Sequence, residues 1–317
     1  MLAAGGTCRV WLARDEHLCD TVALKFLQPH LAHDPALVVE LRKEAAANRR
    51  LTHQNIVQLY DIYESSAEAS FLVMEFVEGA SLHTLRQQKE NEIYRWLELR
   101  PILLQLCSAL DHAHGVQLIH RDLKPANILI DLTGRVKLAD FGISASLADA
   151  YVELLGQRDT RGTVTFMSPQ QMDGDPPAVA DDLYALGSTL YELLTGEPPF
   201  HTGDLSHQVQ AVPPQPVGAR LREKQIESDT PEPIAQLIMN CLEKDPSKRP
   251  ASIRAIAHAV DPAAATQPLF ITPPPATARQ TAASPRRKFS AEFYIVMTLM
   301  AALLVIAAVT LWTVLKS

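Results

Sequence analysis

His120-Arg121-Asp122-Leu123-Lys124-Pro125-Ala126-Asn127-Ile128-Leu129 sets one carboxylate, one ammonium and one side-chain amide within six residues. An apolar helical run leads into this stretch and an apolar strand leaves it. Phosphate transfer needs all three groups. The carboxylate accepts a hydroxyl proton, the cation offsets phosphate charge, and the amide oxygen holds a metal ion. Farther along, Asp140-Phe141-Gly142 adds a second carboxylate beside a glycine, which tolerates backbone angles closed to other residues. Two ordered motifs of this kind are far from a chance polar loop in a helical protein.

Together the two motifs resemble the catalytic loop and the magnesium loop of protein kinases, in particular the bacterial "eukaryotic-like" Ser/Thr kinases. The resemblance implies an α+β, bilobal fold. A small β-sheet lobe with one helix would span about residues 1–78, and a mainly helical lobe about 79–260. It implies ATP as phosphoryl donor, Mg2+ (or Mn2+) as the metal, and Ser or Thr hydroxyls of proteins as acceptors. By the same resemblance Asp122 orients and deprotonates the acceptor hydroxyl, and Lys124 stabilises the moving phosphoryl group. Asn127 and Asp140 would hold the metal. Lys124 following Asp-Leu is the family's Ser/Thr pattern.

Upstream, Thr21-Val22-Ala23-Leu24-Lys25-Phe26-Leu27 alternates as a strand, with Lys25 on a face otherwise formed by Ala23 and Leu27. A lysine there is costly unless paired, and a lone one would snorkel to water. A helix is predicted to begin at Asp34 as N-cap with Pro35 in its first turn. Its stripe of Leu37, Leu41, Glu44 and Asn48 aims Glu44 inward, where Lys25 is its candidate partner. The resemblance implies the same pair, with Lys25 gripping the ATP phosphates.

Leu2 to Ala13 is similar to the phosphate-covering loop between two strands, but Ala3 and Cys8 stand where the family has glycine, and only Gly5 matches. The first strand is shorter than the resemblance implies, so an upstream start is an open alternative. Leu51–Tyr63 and Phe71–Val77 read as strands. The resemblance makes Met74 the limit of the back pocket, and Glu75 and Val77 the backbone partners of the adenine edge. Val10, Ala23 and Leu129 match the positions that sandwich the purine; an apolar triplet of this kind otherwise reads as plain core.

Downstream of the strands, Leu99, Ile102, Leu103, Leu106 and Leu110 trace a helical stripe that stops near Gly115 and delivers His120. Leu129–Ile130 and Val136–Leu138 flank Asp131-Leu132-Thr133-Gly134 as a hairpin. Residues Ile143 to Met167 form a long polar segment without period. In the family this is the activation segment, where Arg121 holds an added phosphate. Thr160, Thr163 and Thr165 are the candidate autophosphorylation sites, and Thr163 also matches the threonine that bridges Asp122 and Lys124. Ser168-Pro169-Gln170 carries an amide in place of the family's glutamate, whose partner would be Arg249. Asp182, in the apolar helix Asp181–Leu194, matches the buried aspartate that braces the catalytic loop. Ile234, Leu237, Ile238, Cys241 and Leu242 mark another helix, and the domain closes near Val260.

Residues 261–288 are rich in Pro, Ala and Thr and end in Arg286-Arg287-Lys288, which reads as a tether. Phe293 to Leu315 then runs 23 residues without a charge. As a helix it is roughly 35 Å long, enough to cross a bilayer. The basic triplet on the domain's side predicts a single-pass protein whose domain faces the cytoplasm. Two residues follow, so the expectation is a tail anchor without an external sensor.

Composition agrees with a globular chain: 317 residues, 47% hydrophobic, 21% charged. A formal net charge of −7 argues against nucleic-acid binding. Four cysteines without CxxC spacing indicate neither a disulfide framework nor a zinc site. The partners expected are protein substrates and the membrane, and a homodimer is compatible with the chain. Two other readings stand beside the kinase. A membrane-tethered pseudokinase scaffold is motivated by Ala3, Cys8 and Gln170. A small-molecule phosphotransferase shares the loop logic but fits the long segment before Ser168 less well.

Overall fold

In the computed structural model, residues 1–4, 8–27, 39, 42, 43, 45, 46, 48–63, 70–141 and 164–262 are described. The expectations that rest on Gly5, Glu44, Thr160, Thr163 and the stretch 293–315 fall outside them, as does nearly all of the tether.

The N-terminal part is a five-stranded sheet built from β1 (Ala3–Ala4), β2 (Cys8–Asp15), β3 (Asp20–Leu27), β4 (Leu59–Tyr63) and β5 (Phe71–Glu75), in the order β1-β2-β3-β5-β4. The alternation around Lys25 produces β3, which pairs antiparallel with β5 so that Ala23 faces Met74 and Lys25 faces Leu72. Val22, Ala23, Leu24 and Lys25 are all buried, so both faces of β3 are covered.

The strand expected over Leu51–Tyr63 begins only at Leu59. The preceding backbone is claimed elsewhere. Asn55 accepts the Leu138 N–H at 2.8 Å through its carbonyl, and Val57 donates to the Leu138 carbonyl at 2.9 Å. The Asn55 amide also donates to the Val136 carbonyl and to Gln105 Oε1, both at 2.9 Å. These bonds tie the sheet-bearing part to the helical part.

A second sheet holds β6 (Gly79–Ser81), β7 (Ile128–Asp131) and β8 (Val136–Leu138) in that order. Around it lie α1 (Leu82–Arg86), α2 (Trp96–Gly115), α3 (Pro169–Asp173), α4 (Val179–Thr195), α5 (Leu205–Ala211), α6 (Val217–Glu223), α7 (Glu232–Cys241) and α8 (Ile253–Val260). The predicted stripe on α2 is the buried one: Leu99, Leu103, Leu106 and Leu110 have no more than 1% exposure. Almost every residue of α4 is buried, and it runs through the core beside α7. Burial on every face marks a central helix. Among the described residues no helix is long and apolar enough to cross a membrane.

Candidate active site

α2 stops at Gly115, and the chain turns back to bring His120 against α4. There Asp182, fully buried, accepts the His120 N–H through Oδ2 and the Arg121 N–H through Oδ1, each at 2.9 Å. His114 Nε2 lies 2.7 Å from the same Oδ2. A buried carboxylate so surrounded holds two successive peptides of the loop. Arg121 takes a left-handed backbone angle, φ +67°. A non-glycine residue costs roughly 1 kcal/mol or more there and persists because its neighbours fix it.

His120 acts as a rivet. Its Nδ1 accepts the Asp122 N–H at 3.3 Å, so Nε2 carries the proton directed at the Ala139 carbonyl 2.9 Å away. Burial lowers its pKa, which favours the neutral ring this pattern requires. The ring also lies 4.5 Å from that of Phe141. The Phe141 carbonyl in turn accepts from Asn48 Nδ2 at 2.9 Å, which gives the predicted inward stripe a direct contact with this turn.

Asp122 is buried, and each of its carboxylate oxygens is engaged. Lys124 Nζ lies 2.8 Å from Oδ1, and Asn127 Nδ2 donates to Oδ2 at 2.9 Å and to the Asp122 carbonyl at 2.7 Å. Asp140, φ +64°, turns its carboxylate to Lys25, with Nζ to Oδ1 at 2.7 Å. Burial alone would lower the lysine pKa, but the carboxylate outweighs it and holds the ammonium above its ordinary value. Burial acts on Asp140 in the opposite sense, and Lys25 overcomes it to hold the carboxyl below the usual range. Asp140 is thus a partner of Lys25 among the described residues; Glu44, the partner expected from the sequence, lies outside them.

Asn127 spends Nδ2 on Asp122, and among the described residues nothing donates to its Oδ1. That oxygen and the Asp140 carboxylate form a hard donor set. It suits a Mg2+ ion, which takes one or two protein oxygens and fills its other positions with phosphate and water. Ala23, Glu75, Val10 and Leu129 lie on β3, β5, β2 and β7, and Val77 on the segment before β6. The Glu75 side chain is held by Lys137 at 2.6 Å and by the Gln58 N–H at 3.0 Å, and its own N–H donates to the Gln58 carbonyl at 2.8 Å. A cavity of about 300 Å³ at the start of α2, lined by Tyr94, Arg95, Leu221, Ile226 and Asp229, contains none of these residues.

Arg249 is buried, and each of its three guanidinium nitrogens is bonded. It donates to Gln170 Oε1 at 2.7 Å, to the Ala180 and Glu243 carbonyls at 2.8 Å each, and to the Lys244 carbonyl at 3.1 Å. Sequence reasoning anticipated the contact with Gln170. It missed the neighbouring Gln171, whose Nε2 donates to the Arg121 carbonyl at 3.0 Å. The signal available was Ser168 three residues before Gln171, a capping-box spacing.

A sheet lysine meeting the carboxylate of an Asp-Phe-Gly turn, with an adjacent loop that clamps one aspartate between a lysine and an asparagine, defines the protein-kinase fold. The chain belongs to the protein kinase domain family, whose model matches residues 1–260. It is similar to Serine/threonine-protein kinase PknB of Mycobacterium tuberculosis, 36% identical over 255 residues, covering 78% of this chain and 40% of the relative. PknB of Mycobacterium leprae is 37% identical over 258 residues, with the same shares. The matched region therefore spans 40% of the length of these curated relatives. Among solved structures, the Mycobacterium tuberculosis PknI kinase domain superposes with a TM-score of 0.65 at 25% identity, covering 83% of this chain and 93% of that one.

Proposed function

We propose that this chain transfers the γ-phosphoryl group of Mg-ATP to serine or threonine hydroxyls of proteins, its own activation segment included. The observation that carries this reading is the clamped carboxylate of Asp122, fixed by Lys124 and Asn127 beside a second carboxylate already matched to a sheet lysine.

Asp122 accepts the proton of the incoming hydroxyl, and its fixed oxygens orient that hydroxyl in line for attack. Lys124 shares Asp122 Oδ1 and offsets negative charge on the group in transit. Lys25 grips the phosphates from the sheet side, and the backbone of Glu75 and Val77 reads the adenine edge. Asn127 Oδ1 and Asp140 are the oxygens that would hold Mg2+, with Mn2+ as its substitute. Bound metal supplies charge neutralisation across the phosphates. Thr160 and Thr163 lie in the segment where autophosphorylation is expected. Residues 261–288 tether the domain to a membrane span at 293–315, with the domain on the cytoplasmic side.

Labelled ATP with magnesium tests the reading. Wild type labels itself or an acceptor protein, and Asp122→Asn lowers incorporation by about 10³-fold or more, as expected when the group that takes the proton is lost from a site acting as a unit. Tight ATP binding without incorporation in wild type would support the scaffold reading instead.

A further inference from the structure

Both ends of Arg121 are pinned from α3 and α4, and only one of the two pins has a role assigned above. The Arg121 N–H is taken by Asp182. The Arg121 carbonyl accepts Gln171 Nε2 at 3.0 Å. That carbonyl shares one planar peptide unit with the Asp122 N–H, so its direction sets the direction of the bond on which Asp122 is mounted. A left-handed arginine supplies no preference of its own for this orientation. External partners must provide it.

The Gln171 amide has no freedom to turn over. Its Oε1 accepts the Ser168 N–H at 3.1 Å, which leaves Nε2 as the only atom able to face Arg121. The Ser168 hydroxyl accepts the Gln171 N–H at 3.0 Å and donates to Asp181 Oδ1 at 2.6 Å. Asp181 also caps the Ala178 N–H at 2.8 Å. Two adjacent carboxylates of α4 thus reach the same residue by separate routes. Asp182 acts directly on the Arg121 N–H, and Asp181 acts through Ser168 and Gln171 on its carbonyl. The neighbouring Gln170 faces Arg249, so the two glutamines divide these tasks.

We propose that Gln171 is a positioning residue for Asp122, holding the Arg121–Asp122 peptide in register only while α3 is docked on the catalytic loop. The proposal rests on the kinase reading for its consequence, since Asp122 is the group whose placement it controls. α3, capped by Ser168, directly follows the segment that ends at Met167. Displacement of that segment's end can therefore be passed to the Arg121–Asp122 peptide through the Gln171 side-chain amide.

The test uses the full chain as wild type, Gln171→Glu, Gln171→Met and Asp122→Asn. ADP formation from Mg-ATP is measured with casein as acceptor, alongside amide hydrogen exchange of residues 120–124. Gln171→Glu keeps an acceptor for the Ser168 N–H and the volume of glutamine, and replaces the donor to Arg121 with a carboxylate oxygen that repels its carbonyl. Its kcat is expected to fall about tenfold or more at pH 8, with KM for ATP within about twofold. The deficit relative to wild type shrinks only as pH falls below about 5, into the range where a glutamic acid takes up its proton and regains an O–H to offer the carbonyl. Gln171→Met shows the kcat loss without the pH-dependent recovery, and it carries the test if the glutamate variant fails to fold. Exchange over 120–124 quickens in both.

A Gln171→Glu enzyme with wild-type kcat at every pH and unchanged exchange overturns the proposal, because capping alone would leave both intact. Equal turnover by wild type and Asp122→Asn would instead sink the kinase reading. In that event the exchange measurement still decides whether Gln171 holds the loop.

Discussion

Gln170 places an amide against a buried guanidinium where a carboxylate is the family's choice, and the effect spreads to Lys244. Its ammonium lies 4.5 Å from the Phe200 ring centre and 5.7 Å from that of Tyr184, and donates to the Gln208 carbonyl at 3.2 Å. Burial, then repulsion from Arg249, lowers its pKa to about 8, with Glu243 opposing. The folded value is below the unfolded one, so the folded state releases its proton first as pH rises. Between about pH 8 and the ordinary lysine range, stability therefore increases with pH, and below about 8 the penalty is constant. Denaturation midpoints of wild type should rise from pH 7 to pH 9 by more than those of Lys244→Met. Gln170→Glu should flatten the same rise, because its carboxylate pairs with Arg249 and raises Lys244. An equal rise in all three proteins would remove Lys244 as the titrating group. Gln170 and Arg249 were legible as a pair only through the family resemblance. Lys244 was not, since its neighbours Gln208 and Phe200 come from a segment with no signature.

The elements were legible wherever one period dominated. The leucine stripe of α2, the alternation of β3 and the glycine-bearing turn between β7 and β8 each carry their own pattern, and each formed as expected. Residues 51–58 carried enough β-branched and apolar character to read as strand, yet their backbone pairs with the stretch around Leu138. Only tertiary structure supplies that partner. The crossing of α4 and α7 is equally silent in sequence, and it turns on Gly187. A Cβ added there would lie 2.7 Å from Cys241 Cβ and 3.3 Å from Leu242 Cγ. Both contacts are near the root of their side chains, so neither can swing aside. Gly187→Ala is expected to lose about 1–3 kcal/mol despite alanine's better helix propensity. Chemical denaturation measures it. Unchanged or increased stability would show that α7 shifts without cost.

At the scale of the whole molecule the chain divides by composition into a domain that can bury a core, a stretch that cannot, and an uncharged run. The last two underlie the proposed anchoring. Residues 261–288 lack apolar periodicity, the composition of an extended tether. Phe293 to Leu315 has no charge, and a helix of that length exceeds the ~30 Å hydrocarbon core by a small margin that tilt absorbs. Arg286, Arg287 and Lys288 lie just ahead of it, and each basic group near an anionic leaflet contributes about 1 kcal/mol. Three such contacts alone would be undone by salt, whereas an inserted helix would not. The full chain is therefore expected to stay with the membrane pellet through a high-salt wash, and a chain lacking residues 293–317 to appear in the supernatant. Protease added to sealed inside-out vesicles should digest the domain, and protease added to right-side-out vesicles should spare it. Release of the full chain by salt would reduce the attachment to electrostatics, and digestion from the outer face would invert the proposed topology.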